Sequence, residues 1–104
     1  MQEEKQPSYY AIIPAFIRYD NRLTHGEKLL YGEITALSNK HGYCFATNSY
    51  FAKLYGVTTR SITNWISKLE KCHYIKTEII RAGSFEVVER KIYIENMSPL
   101  EKNF

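Results

Sequence analysis

The chain has 104 residues, 44% of them hydrophobic and 24% charged, the proportions of one compact domain that can bury a core without disulfides or metal. Its surplus charge of +3 at a pI near 8.8 is mildly basic, too little to define an anionic partner without knowing where the cations fall. No apolar run is longer than a few residues, as in Ala11-Ile12-Ile13; this excludes a membrane-spanning helix, no secretory signal opens the chain, and a cytoplasmic location is expected.

Residues 1–8 are polar and are expected to form a flexible N-terminus. Residues 9–13 are aromatic and β-branched and stop before Pro14, so they read as a short extended segment. Pro14 then opens a helical turn over residues 15–20. Thr24-His25-Gly26-Glu27 has the spacing of a capping box, a hydroxyl at the N-cap and a carboxylate three residues on. The helix it opens carries Leu29, Leu30, Ile34 and Leu37 on an apolar face and ends in Asn39-Lys40-His41-Gly42. Tyr43 to Ala46 reads as a short strand. Thr47 or Asn48 caps a shorter helix that Gly56 stops, and Thr58 caps another that runs to about Cys72. After that the period changes to partial alternation over residues 74–81. Ala82-Gly83-Ser84 supplies a turn, and residues 85–94 return as a second strand, a β-hairpin.

Phe51 to Trp65 carries the most specific pattern. Two helices joined by a tight turn need a small residue where their backbones cross and a residue tolerant of positive φ in the turn. Ala52 and Gly56 fit these two places, with Phe51, Leu54, Tyr55, Val57, Ile62 and Trp65 as core contacts. The spacing resembles the helix-turn-helix of DNA-binding proteins. On the second helix Ile62, Ile66, Leu69 and His73 share one face, with Trp65 on its flank. His73 is therefore expected as a hydrogen-bonded core residue. Opposite lie Arg60, Asn64, Ser67 and Lys71, edged by Thr63 and Lys68, with no carboxylate among them. Arg can fork onto guanine and Asn can pair with adenine. Thr58 and Thr59 at the helix start can donate to phosphate beside free backbone amides.

A helix-turn-helix followed by a two-stranded hairpin resembles a winged helix, which sets the expected fold: α+β, mainly α, with a three-helix core, a C-terminal hairpin wing and an N-terminal extended segment. Arg81, just before the turn, is the candidate wing contact with DNA. Arg90 and Lys91 read as solvated, and Glu78, Glu86 and Glu89 weaken the wing as a phosphate binder. The domain is expected to span residues 9–96, with 97–104 as the start of a linker or tail.

Catalytic readings find little support. His25, His41 and His73 have no partners at metal-ligand spacing. Cys44 and Cys72 form no CxxC and read as reduced thiols, half-buried. No glycine-rich phosphate loop is present. The expectation is a protein that is no enzyme and needs no cofactor or metal. Nine tyrosines could stack single-stranded bases, but Tyr31, Tyr50, Tyr55 and Tyr74 fall near apolar helix faces and read as core.

Residues 11–75 as a whole are similar to the N-terminal domains of phage and plasmid replication initiators, the DnaD-like replisome organisers. The likeness lies in Ile13-Pro14 with its short turn, the helix start from Leu23 to Tyr31, the Gly42 to Asn48 lead-in, and the Leu69 to Ile75 exit. It implies binding of double-stranded origin DNA; the residues expected to carry sequence-specific binding are those of the second helix's polar side and the wing, Thr58, Thr59, Arg60, Thr63, Asn64, Ser67, Lys68, Lys71 and Arg81. It also implies replisome partners recruited by a separate C-terminal domain, which this sequence does not include. A homodimer through the N-terminal segment is a further expectation. A transcriptional regulator on promoter DNA would use the same fold, and a winged helix that binds only protein is a third class.

Overall fold

The computed structural model describes residues 10–83 and 86–95. Four helices precede one hairpin: α1 (Ala15–Arg18), α2 (His25–Leu37), α3 (Asn48–Tyr55), α4 (Thr59–Lys71), β1 (Ile75–Ala82) and β2 (Glu86–Ile94). This is a mainly α winged helix-turn-helix.

The local signals act as expected at most element ends. In the Thr24 capping box the hydroxyl accepts from Glu27 N at 3.2 Å, while Glu27 Oε1 accepts from Thr24 N at 2.8 Å. Thr47, not Asn48, is the N-cap of α3, and its hydroxyl accepts from Tyr50 N. Thr58 caps α4 through Ser61 N. Gly56 takes φ 67 after α3, and Val57 N turns back on Ala52 O at 3.0 Å. These two contacts make the tight turn between α3 and α4.

The core gathers Ile17, Leu23, Leu30, Tyr31 and Ile34 from the first half of the chain with Phe51, Ala52, Ile62, Ile66 and Leu69 from the helix-turn-helix. Tyr74, Ile75, Cys44 and Ile92 close it at the hairpin's base. Of the four tyrosines expected inside, Tyr31 and Tyr74 are buried, and Tyr50 and Tyr55 pack half-buried against the cluster. Burial pushes the Tyr31 phenol up to about 12. Both cysteines are free; Cys44 is fully buried, which raises its thiol above the ordinary value, and Cys72 is half-buried.

The hairpin is antiparallel and in register from Ile75↔Ile94 to Ile80↔Glu89, then shifts so that Arg81 faces Val87. Val88 is thereby left over as a bulge. Gly83 enters the turn at φ 81; the turn residue Ser84 lies outside the described residues, as do the frayed N-terminus and the C-terminal tail of the sequence reading.

Several expectations need correction. Residues 43–46 are no strand: a single bridge, Cys44↔Ile92, joins them to β2. The helical turn after Pro14 stops at Arg18 rather than at residue 20. Leu29, expected on the apolar face of α2, is 52% exposed. The extended segment, residues 10–14, pairs with no strand of the wing. They lie along α2, where Ile12 N donates to Thr35 Oγ1 at 2.9 Å. A Cβ on Gly32 would come within 2.9 Å of Ile13 and 3.2 Å of Ala11, so this bare stretch of helix is what lets the segment lie close.

His73 is the clearest error. It lies beyond the end of α4, exposed, at φ 65.

Candidate nucleic-acid interface

α4 carries opposite faces of opposite character. Ile62, Ile66 and Leu69 are buried, while Thr59, Arg60, Thr63, Asn64, Ser67 and Lys71 are exposed. Lys68 is half-buried at the edge. Trp65 is half-buried on the flank, and its indole lies so close over Gly26 that a Cβ there would sit 2.5 Å from Cζ2. This contact and the burial of Ile62, Ile66 and Leu69 in the core hold the helix against the body with its polar side outward.

The exposed stripe is unoccupied by the protein itself. Among the described residues, the side chains of Arg60, Asn64, Ser67, Lys68 and Lys71 make no hydrogen bond or ion pair. Glu70, the one acid on this helix, is turned toward the wing, where its Oε2 accepts from Thr77 Oγ1 at 3.0 Å. The first turn of α4 has no acidic residue and the last turn has Lys68 and Lys71, so the positive potential comes from side chains at one end and from free amides at the other.

The threonines differ from the sequence expectation in what they can offer. Thr58 Oγ1 accepts from Ser61 N at 3.0 Å and donates to Ser61 Oγ at 3.1 Å. Its proton is committed within the protein. Thr63 Oγ1 donates to Thr59 O at 3.0 Å and accepts from Asn48 Nδ2 at 3.1 Å. Thr59 has an exposed side chain with no partner among the described residues.

Arg81 is exposed near the wing tip. The two cations of the return strand, Arg90 and Lys91, are engaged, not solvated. Arg90 is half-buried and its Nη2 donates to Ala46 O at 2.8 Å; burial pushes its guanidinium below the ordinary value. Lys91 Nζ lies 4.6 Å above the Tyr43 ring. Near its tip the wing therefore presents Arg81 as an open cation beside exposed Ile79, Val87 and Val88, while Lys76 is exposed at its base. These apolar residues, with Phe45 and Asn48, line an open groove of about 600 Å³ between the wing and the start of α3. No reading of the sequence singled them out, since exposure of a strand's apolar side chain is not legible from alternation alone.

Among the described residues, no three His, Cys, Asp or Glu side chains come together as possible ligands for a metal ion. No helix among them is long and apolar enough to cross a membrane.

Comparison with known proteins agrees with this geometry. No curated protein and no solved structure matches the chain. A family model described as a helix-turn-helix domain matches residues 21–75, just over half of the sequence and every residue from the approach to α2 to the first residue of β1. The chain belongs to this helix-turn-helix domain family.

Proposed function

We propose that the protein binds double-stranded DNA with α4 in the major groove, and that Arg60 and Asn64 read base edges while Thr59, Ser67, Lys68 and Lys71 meet the backbone. The single observation that supports this reading is the acid-free exposed stripe of α4, whose Arg, Asn, Ser and Lys side chains have no partner among the described residues. A surface helix held only for packing does not need to turn its one carboxylate away from such a stripe. Thr58 contributes through its place at the helix start, since its hydroxyl proton is already committed. Arg81 extends the contact to the wing. The reading is of a binding module, with no catalytic step and no cofactor.

The likeness of residues 11–75 to the DnaD-like replisome organisers supports origin recognition in phage or plasmid replication as the finer function. Partners among replisome proteins would then belong to a further domain. A homodimer through residues 10–14 has less support, because Ile12 and Ile13 are engaged with α2 of the same chain.

Selection from a random duplex library tests the reading. A preferred site is expected, and its occurrence in repeats at an origin, rather than across promoters, separates replication from transcription. Arg60→Ala and Asn64→Ala should each cost about 1–3 kcal/mol on that site. Lys71→Ala should weaken all duplexes alike and lower the slope of log K on log salt by about 1. A library with no enriched motif, or three variants that bind like the parent, overturns the proposal.

A further inference from the structure

The Thr63 side chain lies on the exposed stripe of α4, yet its hydroxyl is spent inside the protein. It donates to Thr59 O at 3.0 Å, one turn back, and accepts from Asn48 Nδ2 of α3 at 3.1 Å. With its single proton given to a carbonyl, this hydroxyl cannot donate to a phosphate, to guanine O6 or N7, or to thymine O4. The two bonds also fix χ1. Because Oγ1 and Cγ2 occupy different staggered positions on the same Cβ, fixing the one toward Thr59 and Asn48 fixes the other.

The orientation of the Asn48 amide follows from the same network. Thr63 Oγ1 has no second proton, so the amide must donate, and the atom facing it is Nδ2. The other end, Oδ1, is buried with no hydrogen-bond partner among the described residues. Reversing the amide would place two unmet N–H donors there in place of one unmet acceptor. Asn48 is therefore held in one orientation by Thr63, and Thr63 in one rotamer by Asn48 and Thr59.

We infer that Thr63 presents its methyl group to the DNA as a reader of the thymine C5-methyl, and that Asn48 is the positioning residue that sets this choice. The inference rests on the reading of α4 as the groove-bound helix. Apolar contact between a threonine methyl and thymine is a recognised form of direct readout, and it needs the hydroxyl turned away, as it is here.

The test uses the duplex site selected from the library, with each thymine replaced in turn by deoxyuridine, which removes only the C5-methyl. For the parent protein one position should weaken by about fourfold, the worth of one buried methyl group. In Thr63→Ser, which keeps the hydroxyl and loses the methyl, that discrimination should vanish. In Thr63→Val, which keeps a methyl and loses the hydroxyl, it should persist. Asn48→Ala should shrink the thymine-to-uracil ratio at that position, while binding to unrelated duplex stays as in the parent; a purely structural role would move both. A site without thymine, a ratio unchanged in Thr63→Ser, or a ratio lost in Thr63→Val overturns the inference. An unchanged ratio in Asn48→Ala overturns the role of Asn48. Failure of the library to enrich any motif instead overturns the groove reading of α4 itself.

Discussion

His73 occupies a position that glycine usually fills. His73 N donates to Glu70 O at 3.0 Å and Tyr74 N to Leu69 O at 2.9 Å, the two bonds that close a helix through one left-handed residue. At φ 65 a side chain meets its own backbone. His73→Gly should therefore raise stability by about 1 kcal/mol, the left-handed penalty less the added freedom of the unfolded chain. Urea unfolding should show a higher midpoint with an unchanged slope; an equal or lower midpoint would show that the imidazole contributes more than its backbone costs. Spacing alone aligned His73 with Ile62, Ile66 and Leu69, because a period gives a face only while the helix lasts. No Gly or Asn marked the end of α4, so the error was built into the residue types. The same limit applies to Thr58 and Thr63. Their place on the polar side of α4 was legible, but the partners that take their protons, Ser61 and Thr59, depend on rotamers that no spacing reports.

At the scale of elements, the turn from α3 to α4 could be read almost residue by residue, since Ala52, Gly56 and Thr58 each do one local job. The packing of α2 on α4 could not. Gly26 stood in the sequence only as the third residue of a capping box, and its contact with Trp65 joins residues far apart in the chain. Gly32 gave a fairer signal, for an isolated glycine within a helical pattern often marks close approach, and residues 10–14 are what approaches. The extended backbone of that segment was predictable from its composition, but what it packs against was not. The Gly26 contact has a testable consequence. Gly26→Ala must push the Trp65 indole outward, since the added Cβ would meet three ring atoms at 2.5 to 2.9 Å. Overpacking of this kind costs about 1–3 kcal/mol. The expected result is lower stability together with a red-shifted emission from Trp65, the single tryptophan. Unchanged emission would mean that α4 follows the indole without exposing it.

The whole molecule is tied together by a polar contact that neither periodicity nor motif revealed. Asp20, in the connection before α2, accepts from the Arg22 backbone N at 2.9 Å, from Arg22 Nε at 3.0 Å and from Nη2 at 2.7 Å. Its Oδ2 also accepts from Tyr74 OH at 2.6 Å. Tyr74 stands where α4 passes into β1, with its ring 5.9 Å from Phe16 and edge-on to Tyr31 at 6.4 Å. One carboxylate thus links the connection between α1 and α2 to the root of the wing, 54 residues on. The Arg22 hydrogen bonds, more than the Tyr74 hydroxyl, hold the Asp20 carboxyl well below the usual carboxylate range. A group whose folded value is depressed adds stability above its unfolded value, near 4, and loses it as pH falls from there toward the folded value. Asp20→Asn should therefore unfold at lower urea than the parent at pH 7, and the gap should begin to close as pH drops below about 4. Arg22 is 61% exposed, so salt should narrow the gap at pH 7 as well. A gap constant from pH 7 to pH 2.5 would mean that Asp20 acts through shape rather than charge, and that the wing root is held by the aromatic packing around Tyr74 alone.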